Sequence, residues 1–236
     1  MKLKFNNYSS FIITKIFYKK AVCNNNGFYY LAIALNRLIR EDNKKFNVTS
    51  LYSYDNNGNI LNKRAFAFTL CGAERLEELE STSINYAYDG DRLLSFGREL
   101  YEYDALGNPT KYRGKAVTWA NGRQMTAYNG NTFAYDGRGR RSEKNNITYT
   151  YDSNGNLLKQ SNGLEFIYDH SGVAGVKYNN ATYLYRRNVQ GDIIALLDNT
   201  GAVVVKYVYT AWGGCKVLTS DGRELTDETH IGNLNP

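Results

Sequence analysis

Asn146-Ile147-Thr148-Tyr149-Thr150-Tyr151-Asp152-Ser153-Asn154-Gly155-Asn156-Leu157-Leu158-Lys159-Gln160 reads as two short strands joined by a turn. The first run alternates and is rich in β-branched and aromatic residues, the pattern of a half-buried strand. Asp152 suits the first position of a type I turn, where its carboxylate accepts backbone N–H groups. Gly155, three residues on, suits the positive φ of the bulge that returns the chain to the sheet. Two strands of ordinary length and such a turn use up roughly 16 residues.

The same phrase recurs as Tyr54-Asp55 with Gly58, Tyr103-Asp104 with Gly107, and Tyr135-Asp136 with Gly139. Looser copies are Tyr88-Asp89, Trp119-Ala120-Asn121-Gly122-Arg123, and Tyr168-Asp169 with Gly172. From Tyr88 the anchor aromatics fall at 88, 103, 119, 135, 151 and 168, so successive units lie 15, 16, 16, 16 and 17 residues apart. A fixed short period means one supersecondary unit stacked many times. The expected fold is therefore all-β, built of antiparallel hairpins. Turn chemistry accounts for both the Asp and the Gly of each copy, so these residues are assigned a structural role.

Seventeen of the 21 tyrosines lie between Tyr52 and Tyr209, mostly as Tyr-x-Tyr. Residues two apart share a strand face, which predicts a ladder of rings. Core packing is the preferred reading. The alternative is a platform for stacking sugar rings, with Tyr149, Tyr151, Tyr183 and Tyr185 as its candidate residues.

The net charge of +6 is unevenly placed. Residues 1–45 hold nine Lys/Arg and two acidic residues, whereas the remaining 191 hold 20 basic and 21 acidic. The repeats thus lack the basic stripe that phosphate binding requires, which argues against nucleic acid as a partner. Cys23, Cys71 and Cys215 have neither metal-site nor disulfide-framework spacing.

Residues 1–50 lack the motif, and Phe28 to Ile39 reads as a short helix within a helical or irregular segment. The apolar run from Phe11 is broken by Lys15 and makes a poor signal peptide. Ala73-Glu74-Arg75-Leu76-Glu77-Glu78-Leu79-Glu80 reads as a small charged helix inserted between units. No metal, cofactor or catalytic motif emerges. The Asp152 and Asp55 turns open like a calcium loop but carry Leu157 and Gly163, and Ile60 and Phe66, at the positions that need Gly and Glu. His170 and His230 have no nucleophile at a motif spacing.

The Tyr-Asp-x-x-Gly-Asn units resemble the YD-repeat or Rhs (rearrangement hotspot) family. So do the stretch from Tyr185 to Asp198, the run Tyr207-Val208-Tyr209-Thr210-Ala211-Trp212-Gly213, and the closing Gly232-Asn233-Leu234-Asn235-Pro236. Thr210 replaces an Asp usual in that family, which leaves turn capping there open. The resemblance implies a sheet spiralling into a hollow shell, here in part, over residues 51–218, with 219–236 as a truncated end of the core. It implies a structural module, itself no enzyme, from the encapsulating or surface-exposed core of a polymorphic bacterial toxin. The alternative is a carbohydrate-binding surface module. Expected partners are the remainder of a longer chain or its C-terminal toxin, with glycans as a further candidate and self-association through open sheet edges. The implied location is extracellular or cell-wall associated.

Overall fold

The computed structural model describes residues 20–24, 28–33, 37–69 and 76–234. Strand follows strand in two antiparallel meanders. Eight consecutive strands run from Lys20–Asn24 to Glu99–Leu100, and fourteen from Glu102–Tyr103 to Cys215–Thr219. Each strand pairs with its neighbours in sequence, so every sheet contact is local. Among the described residues the helical elements are a single 3₁₀ turn, Leu76–Glu78, and a four-residue helix, Ile231–Leu234.

Through the middle of this ribbon two kinds of turn alternate and give it two unlike rims, whereas nearer its end an Asp-x-x-Gly turn at Asp198 falls on the rim of the short turns. In the middle, one rim carries the Asp-x-x-Gly turns with their bulges. The other carries two-residue turns in which both residues have positive φ: Asn129 and Gly130 (48° and 79°), Asn145 and Asn146 (50° and 66°), Asn179 and Asn180 (49° and 63°). That conformation is the type I′ turn, whose twist matches that of paired strands and which Asn and Gly tolerate best. A 16-residue period is thus one long turn, one short turn and the two strands between them.

Two expectations for the non-repeat segments are corrected. Phe28 to Ile39 is not a helix: Phe28–Ile33 and Arg37–Asn43 are adjacent antiparallel strands, with Leu31 opposite Arg40. A short apolar run fits either periodicity, and pairing on both sides decides for the strand. The strand ladder therefore begins ahead of residue 51. Of the inserted helix expected over 73–80, the described part is a 3₁₀ turn, Leu76–Glu78, with no buried residue. Ala73, Glu74 and Arg75 lie outside the described residues, as do the first 19.

Strands such as Ile147–Tyr151 and Asn131–Tyr135 alternate half-buried and exposed positions. The last third is packed differently. There Leu164, Val176, Leu196, Val205, Tyr207 and Ile231 form a buried cluster, with Tyr183 and Tyr185 packed against it. Ile231 comes from the terminal helix, and the Tyr207 hydroxyl donates to the Gly232 carbonyl at 3.0 Å, docking that helix on the sheet.

Candidate functional site

The repeat motif is a hydrogen-bonded device with two halves. In the turn, the backbone N–H of Asp152 donates to the Asn156 carbonyl (3.0 Å) and that of Gly155 to the Asp152 carbonyl (3.2 Å). Asp152 Oδ1 accepts the Asn156 N–H and Oδ2 accepts Asn156 Nδ2, at 2.8 and 2.9 Å. Asp55 with Asn59 and Asp104 with Asn108 repeat the arrangement. Asp136 does so with Arg140, whose Nε sits 2.7 Å from Oδ2. This explains why Asn or Arg follows the Gly: its side chain closes back on the Asp. The side-chain bond from Asn156, followed by the Asn156 N–H, holds the Asp152 carboxyl below the usual carboxylate range. Gly155, at φ 90°, supplies the bulge.

Asp89 and Asp169 sit differently. Each flanks a two-residue loop, Gly90-Asp91 and His170-Ser171, with Asp89 opposite Arg92 and Asp169 opposite Gly172. His170 is exposed in that loop. Thr210 takes up the five-residue turn without a carboxylate, its Oγ1 accepting the Gly214 N–H at 2.9 Å.

The second half is the anchor aromatic. The Tyr151 hydroxyl donates to the Arg141 carbonyl at 2.7 Å, Tyr135 to Met125 at 2.9 Å, Tyr103 to Leu93 at 2.7 Å and Tyr168 to Leu157 at 3.0 Å. Trp119 makes the same bond to Pro109 through its indole N–H, at 2.8 Å. Each acceptor lies where the preceding hairpin shifts register: Leu93 opposite Tyr88, Pro109 opposite Tyr103, Met125 opposite Trp119, Arg141 opposite Tyr135, Leu157 opposite Tyr151. A bulge interrupts the ladder, and the ring of the next unit satisfies the carbonyl left there. Sequence reasoning took the rings for packing and missed this. The available signal was that every anchor carries an O–H or N–H donor and none is Phe, although the chain has ten Phe.

Arginines roof the rings. Arg140 lies over Tyr151 (4.7 Å), Arg141 over Phe133 (4.5 Å) and Arg113 over both Phe96 and Tyr112 (5.6 Å each). Tyr101, Tyr112 and Tyr128 form an edge-to-face series at 5.2 and 5.7 Å. Tyr149, Tyr151, Tyr183 and Tyr185 are all half-buried, Tyr151 beneath Arg140 and the latter pair on the aliphatic cluster. The four do not make one exposed platform.

A third constellation went unread in the sequence. Glu41, Asp42, Asn43, Thr49, Ser50 and Tyr52 are buried near the tip of the Arg37–Asn43/Val48–Tyr54 hairpin. Asp42 pairs with Arg40 at 2.8 Å and accepts Thr49 Oγ1 at 2.9 Å, and Thr49 in turn reaches the Thr69 carbonyl and N–H. On the opposite strand face Glu41 Oε1 accepts the backbone N–H of Ala211 at 2.9 Å. No motif spacing reports a contact of this kind, because its partners lie 170 residues apart.

Among the described residues no three His, Cys, Asp or Glu gather as metal ligands. Two surface depressions, of about 420 and 470 Å³, flank the Asn179-Asn180 turn and are lined mainly by polar and turn residues. Partial desolvation pushes the free Cys215 thiol up, opposite to the activation of a nucleophile.

No family model matches the chain. It is 30% identical over 201 residues to the tRNA3(Ser)-specific nuclease WapA of Bacillus spizizenii, a match spanning 76% of this chain and 8% of that protein. The tRNA nuclease WapA of Bacillus subtilis strain 168 is 30% identical over 203 residues, with the same shares. The chain thus spans a small fraction of these relatives' length. The similarity covers most of this chain and one short section of each relative. Among solved structures, the crystal structure of TcdB2-TccC3-TEV aligns with 80% of this chain and 12% of that one, at TM-score 0.43 and 14% identity. The structure of TcdB2-TccC3 aligns at TM-score 0.29 and 12% identity.

These relatives correct one expectation. The sequence reading held that the chain is no enzyme because it lacks a catalytic motif. Proteins 30% identical to it are named tRNA nucleases, and that finding overturns the exclusion. The physical reason is that catalytic groups converge in space without a sequence spacing to betray them.

Proposed function

We propose that this chain is a YD-repeat module of a longer Rhs-type toxin, and that the activity of the whole protein is cleavage of tRNA. The observation that carries the module reading is the stitched hairpin, in which each unit completes the hydrogen bonding of the one before it. Such a ribbon can be extended unit by unit, which suits a frame around or beneath a toxic domain. The relatives' names supply the nuclease, and the small share of those proteins matched supplies the picture of one section in a long chain. The finer assignment, to the encapsulating core near its C-terminal end, rests on the resemblance of Tyr207–Gly213 and Gly232–Asn235. Location outside the cell or at its wall, and partnership with the rest of the chain, follow from the same reading. Carbohydrate binding has less support, because its four candidate tyrosines are all half-buried.

The test expresses the complete coding sequence around this chain, with and without residues 37–234, and incubates each purified protein with bulk tRNA. The expected result is tRNA cleavage that the longer protein restrains and the shortened one releases. A complete protein that never cleaves tRNA, before or after limited proteolysis, would overturn the nuclease part. Equal activity from both proteins would overturn the framing role.

A further inference from the structure

Strand residues point to alternate faces, and in most of this ribbon only one face is covered. At Glu41, Asp42 and Asn43 three successive residues are buried, at 2%, 0% and 0% exposure, so something covers each face. The Asp42 face is closed by the chain around Thr69. The other face carries Glu41, Asn43, Ser50 and Tyr52, since Glu41 pairs with Ser50 and residues two apart share a side. What covers it is the turn Tyr209–Gly214, from the far end of the ribbon.

The contact reads backbone. Glu41 Oε1 accepts the Ala211 N–H at 2.9 Å, and Asn43 Nδ2 donates to the Tyr209 carbonyl at 3.2 Å. Asn43 Nδ2 also lies 3.2 Å from Glu41 Oε1, and the Tyr52 hydroxyl donates to Oε2 at 3.3 Å, so both carboxylate oxygens are used. The Trp212 ring meets Tyr52 edge-on at 5.5 Å, and Lys216 Nζ lies 5.2 Å from the Phe46 ring. Burial, with the Glu41 charge next, pushes the Tyr52 hydroxyl well above its ordinary range, which keeps it a donor to that carboxylate.

We propose that the Glu41–Asn43–Tyr52 face is a socket that recognises the Tyr209–Gly214 turn and thereby joins the two ends of the ribbon. The Arg37–Asn43/Val48–Tyr54 hairpin belongs to the eight-strand sheet and the turn to the fourteen-strand sheet, and no strand pairing links the two across this seam. Closure therefore falls to side chains. A carboxylate is a costly way to fill a buried site and a good way to hold specified N–H groups, which marks the contact as recognition. The occupant is this chain's own turn, because the bonds observed run within one chain. A socket at one end and a plug at the other could equally join two copies head to tail, and the test separates these.

Hydrogen exchange on the full chain reads the Ala211 amide directly. Glu41→Ala is expected to speed its exchange about tenfold or more, the loss of one charge-assisted bond, while amides of Ile147–Tyr151 are unchanged. Glu41→Gln, which keeps an acceptor oxygen, is expected to restore part of the protection. Trp212→Ala, on an exposed residue outside the socket, supplies the check if Glu41→Ala unfolds the chain, and should speed Ala211 exchange in the same direction. Unchanged Ala211 exchange in Trp212→Ala, or in a folded Glu41→Ala, would overturn the proposal. So would Ala211 protection that grows with protein concentration, since the turn in the socket would then belong to a second copy.

Discussion

The strands from Ser81 to Gln160 and the segment from Leu164 to Thr219 are held together differently. In the first region the fully buried side chains are few, Tyr101, Asn108 and Val117. Cohesion comes from hydroxyl-to-carbonyl bonds, edge-to-face rings and arginines laid over them. In the second, Leu164, Val176, Leu196 and Val205 have no exposed surface, and a returning helix covers them. The first is a lattice of local bonds that needs only its neighbours. The second is a core, which needs a lid.

The sharpest way to break this contrast is Leu196→Ala. It is expected to cost about 2–5 kcal/mol, as deletions in closed cores do, against a smaller cost for Phe133→Ala on the half-open ladder. Chemical denaturation of both variants measures it, and equal losses would erase the distinction. Next comes Gly175→Ala, within strand Gly172–Tyr178. A Cβ there would collide with the Tyr183 carbonyl oxygen and stand 3.3 Å from Leu184 Cα, both backbone of the paired strand. Roughly 1–3 kcal/mol is expected for this overpacking, read as a lowered denaturation midpoint.

Tyr151→Phe should cost about 1 kcal/mol, the worth of one hydrogen bond, and leave the ring in place. Tyr103→Phe and Tyr135→Phe should each do the same, and the triple variant should lose close to their sum, because the sites share no partner. A triple loss far above that sum would mean the ladder is cooperative beyond nearest neighbours.

The smallest effect concerns pH. The turn carboxyls of Asp55, Asp104, Asp136 and Asp152 are depressed in the folded chain by hydrogen bonds from the turn. Their contribution is complete above the unfolded value of about 3.9 and is lost as pH falls through the folded values. Tyr54, Tyr88, Tyr151 and Tyr168 are raised, with desolvation first. Their contribution is complete below about 10 and is lost as pH rises through the folded values. Thermal melts from pH 2 to 11 should show a plateau between two falling limbs, and a stability maximum at either extreme would contradict this.

The all-β class and the turn chemistry were readable in the sequence because each depends on residues within about five positions of one another, and the period because that local phrase recurs. Asp152 and Gly155 form the turn their spacing predicts, while Asp169 and Gly172, at the same spacing, face each other across a two-residue loop. The Tyr151-to-Arg141 bond was not readable, since a bulge must first place that carbonyl. Nor was the strand at Phe28–Ile33, where propensity was ambiguous and pairing decided. Thr210 showed that a hydroxyl can do the work of the expected carboxylate. The seam at Glu41 lay furthest out of reach, because a periodic signal describes neighbours and that contact joins the ends.

The ring-to-bulge stitch also has a hereditary consequence. Each unit offers the next one a carbonyl and takes one from its predecessor, so any two units are interchangeable at the joint. Unequal recombination that duplicates or deletes a whole period leaves every donor matched to an acceptor. A gene of this kind can drift in length while its product goes on folding, provided the breaks fall in phase.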